Sequence, residues 1–388
     1  MTAIDTNEAR LNPFPWYRHM RQAQPVGYDA RHHAWSIFRY DDVQRALSDY
    51  ASFSSQFSRG TQSIDQPFAA SMISTDPPRH RQLRSLVSQA FTPRAIEALA
   101  PRIETIVAEL LDQVDDRGRM DAIHDLSYPL PVVVIAELLG VPPDQRERFK
   151  QWSDAVVSMS SSGEMSHYRA VQEMVGYFTE LIERRRQDPR DDLISRLIAA
   201  EIAGQHLTLP ELMGFCALLL VAGNETTTNL IGNALLCFAE QPETWERLRR
   251  EPALLPQAIE EVLRHRSPVQ SMFRVAAAPV EMAGQTIPKG APVVVWIGSA
   301  NRDEAQFPDS DRFDVDRQPN RHIAFGYGIH YCLGAPLARL EARIALGAML
   351  RRFDTFRLQP GVALEALPSM IVYGVRSLPI EVSRSRSV

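Results

Sequence analysis

The sequence predicts a mainly α-helical protein with a small β region, an α+β fold carried by one domain over residues 1–388. Three observations lead there. From Pro77 to about Pro268 apolar residues recur at helical spacing, punctuated by capping and breaking residues at helix-length intervals. From Phe273 to Ile297 short apolar runs are split by Ala283-Gly284-Gln285 and Pro288-Lys289-Gly290, the pattern of strands joined by turns. Finally, although 388 residues would allow two or three domains, the chain shows no internal repeat, low-complexity linker or compositional shift.

Taken in order, Val26–Tyr28 and Ala34–Tyr40 predict a small hairpin, after which Asp41 and Asp42 offer caps for a short helix. Helices follow near residues 79–90, 93–117, 131–139, 144–158, 168–186, 191–203 and 209–241. The last of these has a local reason to start where it does. Thr208-Leu209-Pro210-Glu211 has the spacing of a capping box with proline inside the first turn. A final helix is expected over 335–353 and strand over 371–382, with residues 1–11 and 383–388 frayed.

Composition excludes several classes. The chain is 45% hydrophobic, 23% charged and 8% aromatic, the profile of a globular protein with a sizeable core. A net charge of -5 speaks against a nucleic-acid partner, which needs concentrated basic surface. The three cysteines, Cys216, Cys237 and Cys332, are far apart and odd in number, which fits a reducing compartment. The polar, acidic stretch Met1 to Asn12 shows no basic head followed by an apolar run, so neither a secretory signal nor a membrane anchor is expected. The strongest apolar stretch, Phe215 to Gly223, falls short of the roughly 20 residues that cross a bilayer, so a cytoplasmic protein is expected.

The most informative stretch is Phe325-Gly326-Tyr327-Gly328-Ile329-His330-Tyr331-Cys332-Leu333-Gly334-Ala335-Pro336. Here a cysteine sits just ahead of a helix, whose unpaired N–H groups and positive partial charge favour a thiolate. The glycines let backbone approach something large and flat. Such a sulfur is a nucleophile, a metal ligand or simply a buried structural cysteine, and ligation of haem iron makes the fullest use of the open loop. A second oddity lies in the 209–241 helix, where Gly223, Asn224, Glu225 and three threonines interrupt an apolar run. Glycine and β-branched residues are poor helix formers. Either the threonine hydroxyls bond back one turn and bend the helix, or the interruption serves chemistry.

Phe325-Gly-x-Gly-x-His330-x-Cys332-x-Gly334 resembles the haem-ligand signature of the cytochrome P450 superfamily, soluble bacterial type. Ala222 to Thr227 resembles its oxygen-activating helix signature, Glu261-Val262-Leu263-Arg264 its Glu-x-x-Arg pair, and Phe313 to Arg317 the segment that supplies a second arginine to that pair. The resemblance covers essentially the whole chain. It implies a triangular helical unit with haem b buried between the long central helix and the helix after the cysteine loop. By the same resemblance Cys332 is the metal ligand, in a loop shaped by Phe325 and Gly326. Gly223 makes room for dioxygen, and Thr226 and Glu225 are the catalytic pair that delivers protons. His80, Arg84, Arg274 and His330 match the propionate-binding positions, and Glu261, Arg264 and Arg317 match a structural triad. His80 and Arg84, four apart, share a helix face, as do Glu261 and Arg264, three apart. One departure is Ser310, where many relatives have a second proline after Phe307-Pro308; it should affect only the local turn.

The implied activity is a monooxygenase that inserts one atom of O2 into a lipophilic small molecule such as a fatty acid, terpenoid or steroid. Pocket residues by resemblance are Met72 in the loop 63–73, the region 156–175, Leu218 and Ala222, Val269 and Met272, and Met370 and Ile371, with the methionines able to repack around different shapes. No flavin or nicotinamide module fits within the chain. Electrons from NAD(P)H are therefore expected through a separate ferredoxin and ferredoxin reductase, docked on arginines such as Arg79, Arg81, Arg339 and Arg343. The alternatives are a peroxide-driven peroxygenase, against which the Glu225–Thr226 pair speaks, and a haem-based sensor without turnover.

Overall fold

The structure is a computed structural model and describes residues 4–56, 71–114, 117–145, 148, 149, 151, 152, 165–202 and 204–383. It is about 54% helical with small sheets. The chain forms two compact units, the first drawn from Met1–Ser54, Ala100–Leu130 and Thr226–Val388 and the second from Ser55–Leu99 and Pro131–Glu225.

In the first unit the sequence hairpin is present as β1 (Val26–Asp29) and β2 (Ala34–Ile37), paired antiparallel. They belong to a five-stranded sheet with β3 (Phe53–Ser54), β5 (Met272–Ala276) and β8 (Pro292–Val295), in the order β1-β2-β8-β5-β3. β2 and β8 run parallel, with Trp35 opposite Val293, while β5 and β8 run antiparallel, with Met272 opposite Val295. β8 is Val-rich because both faces are covered, by the core of Ile37, Val43, Phe53 and Phe307 on one side and by an aromatic cluster on the other. In that cluster Phe38 stacks on Trp296 with centroids 5.8 Å apart. The helix Ala335–Arg352 packs on Ala100–Asp112 and on Leu255–His265.

In the second unit Met165–Gln187 packs on Leu193–Ala199, which also meets Arg79–Ala90. A buried pair, Arg185 with Asp192, closes the turn between the first two, and Arg185 also donates to the Gly140 carbonyl at 3.1 Å.

Several expectations are corrected. The 93–117 helix is two, Pro93–Glu97 and Ala100–Asp112, because Pro101 cannot extend a helix backwards. The 191–203 helix stops at Ala199, where Ala200 turns extended and Ile202 bridges Gln205. Of the 371–382 strand only β10 (Pro379–Ser383) joins a sheet, between β4 (Arg119–Asp121) and β9 (Thr355–Leu358). Asp41 and Asp42 do not cap Tyr40–Ser48; the Tyr40 N–H donates instead to Asp303 Oδ2 at 2.8 Å. The 144–158 helix lies largely outside the described residues, as do residues 1–3 and 384–388 of the expected frayed ends; the described part of those ends is ordered instead, with Asn7–Leu11 helical, Asn7 bonded to the Leu364 carbonyl and the Ala366 N–H, and Ser383 paired with Thr355.

Candidate active site

The cysteine loop is shaped by its own backbone. The Cys332 N–H donates to the Phe325 carbonyl at 2.8 Å, Gly326 N–H to Ile323, and Tyr331 N–H to Gly328. Gly326 and Gly328 have φ near +75° and +73°, the left-handed region that favours glycine. At Gly328 a Cβ would also lie 2.8 Å from Ser48 Cα, so both conformation and space require glycine. Gly334 caps the helix Ala335–Arg352, two residues after Cys332, and its missing Cβ would stand 3.9 Å from the sulfur. This is a half-buried thiol at a helix entrance. Cys216 and Cys237 differ sharply: both are buried, and burial pushes each thiol up to about 12, so neither supplies a thiolate.

The run into this loop is held by ion pairs. Glu261 and Arg264, each 0% exposed, pair at 2.8 and 2.7 Å on the helix Leu255–His265. Arg317 adds a contact to Glu261 at 3.2 Å, Asn320 one at 3.1 Å, and the Asp314 N–H one at 2.9 Å. Arg264 spends its remaining N–H groups on the carbonyls of Asn301, Ser310 and Arg312. The Ser310 contact is made by its backbone carbonyl, which does not depend on the side chain at that position.

A neighbouring cluster was not foreseen. Glu260 accepts from Arg339 at 2.6 and 2.8 Å and contacts His322 at 3.0 Å. Burial alone would raise the Glu260 pKa, but these hydrogen bonds and charges hold it at about 2. The Arg339 guanidinium stacks 4.4 Å from the Phe325 ring centroid. This cluster thus fastens the loop from the helix side. Asn301, fully buried, fastens it from below, accepting from the Ile323 N–H and donating to Ser267 Oγ, both at 2.8 Å.

The central helix runs Leu209–Glu240. The glutamate limb of its capping box is made: Thr208 N–H and Oγ both donate to Glu211 Oε2 at 2.9 Å, while Arg79 Nε donates to Oε1 at 2.8 Å. Leu209 to Glu225 belongs to the second unit and Thr226 onward to the first. Glu225 and Thr226 are half-buried, and Gly223 has a packing reason, since a Cβ there would meet Ile135 Cδ1 at 3.0 Å. Asn233, unread in the sequence, donates to the carbonyls of Arg266 and Tyr373 at 3.1 Å each.

His80 and Arg84 lie on the helix Arg79–Ala90. His80 is 2% exposed; burial first and the Arg84 charge second lower its pKa to about 4, so it is a neutral imidazole at pH 7. In the first unit Arg274 is 3% exposed on β5, and His330 sits half-buried inside the cysteine loop. Within the unit that holds Cys332, the buried Arg274 cation, the half-buried His330 imidazole and the half-buried sulfur are donors of the kind that an iron macrocycle with carboxylate arms requires.

The pocket candidates spread over both units. Val269 and Met272 pack against the sheet core and Met370 against the aromatic cluster, so these three also serve the core. Ile371, Leu218 and Ala222 are half-buried or exposed, and Met72 is buried in the turn Met72–Ser74. Residues 63–70 and 156–164 of the pocket segments lie outside the described residues. Among the docking arginines, Arg79 and Arg339 are committed to Glu211 and Glu260, while Arg81 and Arg343 are exposed. Among the described residues no helix is long and apolar enough to cross a membrane.

Comparison with known proteins gives one consistent result. The family model described as Cytochrome P450 matches residues 26–382. A putative cytochrome P450, YjiB, of Bacillus subtilis is 44% identical over 378 residues, 95% of this chain and 94% of that protein. The cyclomarin C epoxidase CymV of Salinispora arenicola is 44% identical over 374 residues, 94% of each chain. The crystal structure of CYP109E1 from Bacillus megaterium in complex with testosterone covers 98% of this chain and 100% of that one, with a TM-score of 0.91 at 44% identity.

Proposed function

The chain belongs to the cytochrome P450 family and is a monooxygenase of the bacterial type, and on that premise we propose that it inserts one oxygen atom into a lipophilic, steroid-sized small molecule. The observation that carries the reading is the cysteine loop: one accessible sulfur at a helix entrance, with its backbone closed on Phe325 and its flank fastened by Glu260, Arg339 and His322. Cys332 is the residue that would hold haem iron, as the thiolate. Bound haem, here haem b, supplies the reductive activation of dioxygen, favoured by electron donation from a sulfur ligand.

The rest is done by the chain. By likeness to the family's propionate-binding positions, Arg274, His330, His80 and Arg84 would satisfy the propionates, with His80 as a neutral hydrogen-bonding partner. Thr226 holds its hydroxyl at the reacting face, and Glu225, next to it and half-buried, moves protons in from solvent. The apolar walls at Val269–Met272 and Met370–Ile371 orient the substrate and exclude water; the testosterone complex of CYP109E1 and the epoxidase relative support a lipophilic ligand. Electrons reach the site from a separate ferredoxin and its reductase. Buried, unbridged Cys216 and Cys237 suit the cytoplasm. We also propose that the chain unfolds as one domain, since the uninterrupted helices Pro129–Leu138 and Leu209–Glu240 each contribute residues to both units.

Turnover of testosterone and lauric acid with a surrogate ferredoxin system, set against peroxide alone, tests the reading. Product that requires the electron-transfer proteins supports it, and Thr226→Ala should then divert electrons to peroxide. Product from peroxide alone, or none from either, contradicts it.

A further inference from the structure

In the unit that holds Cys332, the two pocket-wall segments lie side by side. Val269 bridges Val372, the Gln270 N–H donates to the Ile371 carbonyl at 2.7 Å, and the Tyr373 N–H donates to that of Pro268 at 2.8 Å. Ser271 Oγ donates to the Met370 carbonyl at 2.9 Å. Movement of one wall therefore carries the other. Two asparagines of the central helix, Asn229 and Asn233, set this pair of walls against the helix. They follow Thr226 at +3 and +7, on its side of the helix. Asn233 holds the carbonyls of Arg266 and Tyr373, the first just before one wall in the chain and the second just after the other.

Asn229 works by shape. Its side chain occupies the space that a side chain at Gly374 would take: a Cβ there would stand 2.0 Å from Asn229 Oδ1, 2.7 Å from Cγ and 3.4 Å from Cβ. Rotating the terminal amide would move Oδ1 and leave Cγ in place, so an added methyl must displace the whole side chain or push back the segment. Asn229 is 2% exposed, which closes the first route. The Gly374 carbonyl accepts from the Leu367 N–H at 3.0 Å, so the second route shifts the loop between those two residues, which carries Met370 and Ile371.

The same unit contains a counterpart. Gln270 lies over Gly298, with Oε1 2.0 Å and Cδ 2.6 Å from where a Cβ would be. Both polar ends of that amide are occupied, by Tyr17 Oη at 2.7 Å and the Ser267 carbonyl at 2.6 Å. Asn229 Nδ2 has no partner among the described residues. Leaving a buried donor unpaired costs stability, which an apolar side chain would avoid. Stability alone therefore does not account for an asparagine at this position.

We propose that Asn229 and Gly374 form a peg and seat that sets how far the Met370–Ile371 wall stands from the helix bearing Thr226, and so determine which part of a substrate is presented for oxidation. They are positioning residues, and the proposal rests on the reading above that these walls bound the substrate.

The test is a double-mutant cycle in the haem-loaded enzyme: Asn229→Ala, Gly374→Ala and both together. Hydrogen exchange of the amides of 369–375 and optical titration with 4-phenylimidazole are the readouts, and neither needs turnover. In Gly374→Ala exchange should quicken about tenfold and azole affinity shift about fivefold, while the double variant returns to within about twofold of Asn229→Ala. With testosterone or lauric acid, the ratio of products should move in Gly374→Ala and recover in the double variant. If Gly374→Ala does not fold, recovery of folding in the double variant counts as the same rescue. Effects that simply multiply, or a Gly374→Ala enzyme indistinguishable from wild type, overturn the proposal. Rescue without any product would leave the peg standing and remove the oxygen-insertion reading instead; product without rescue does the reverse.

Discussion

Glu261 and Glu341 are both buried glutamates in the same unit, on helices that pack together on either side of the cysteine loop, yet their surroundings are opposite. Glu261 receives donors from Arg264, Arg317, Asn320 and a backbone N–H. Glu341 Oε2 has no partner among the described residues, and burial alone pushes its pKa well above the usual carboxylate range. Burial thus does not decide charge; the number of donors aimed at the carboxylate does. One region is an anchored ion cluster that fixes the approach to Cys332, and the other holds a carboxyl whose ionised form burial disfavours.

The largest effect should come from Arg264→Ala. It leaves Glu261 charged and buried and strips a donor from three carbonyls, at a cost of about 3–5 kcal/mol. Chemical denaturation and haem content measure it, and a variant within about 1 kcal/mol of wild type would show that the cluster is not an anchor.

Glu260→Gln should cost about 1–2 kcal/mol by loosening Arg339 and His322. The pH dependence sharpens the comparison. Since the folded-state pKa of Glu260 lies at about 2, below its ordinary 4.5, its contribution is present above pH 4.5 and disappears as pH falls towards 2. Acid denaturation of the variant should therefore lose part of the wild-type slope in that window.

Glu341 has the opposite sign. Its folded-state pKa is raised, so its contribution is complete below pH 4.5 and is lost as pH rises through the folded value. Glu341→Gln should lie within about 1 kcal/mol of wild type at pH 5 and become relatively more stable by pH 8. A difference that stays constant with pH would mean that Glu341 is ionised and partnered. The smallest effect belongs to Ser310→Ala, which removes a buried hydroxyl without a partner among the described residues and keeps the carbonyl that Arg264 uses. Its melting midpoint should be unchanged or slightly higher, and a clear loss would assign the hydroxyl a role.

What was legible in the sequence was local. The helix Arg79–Ala90, the start at Leu209 and the Glu261–Arg264 spacing all follow from residues within one turn of each other. What escaped notice joins distant positions. His322 and Arg339 lie 62 and 79 residues from Glu260, and no spacing rule connects them. Asp303 satisfies Tyr40 from 263 residues away, which is why the nearby aspartates looked like the caps. Asn233 and Asn229 drew no reading, because the carbonyls and the glycine they meet lie 33 to 145 residues further along the chain. Two of the four arginines expected to dock a partner have internal contacts that no local spacing predicts. Arg79 and Arg339 looked available for a partner, whereas each is spent on an internal glutamate.

The central claim is that one sulfur of three binds haem iron, and the absorption spectrum of the ferrous carbon-monoxide complex tests it most directly. Wild type and the Cys216→Ser, Cys237→Ser double variant should both show the red-displaced band of sulfur ligation, and Cys332→Ser should lose it. Retention of that band without Cys332, or its absence from the wild-type protein, would contradict the account.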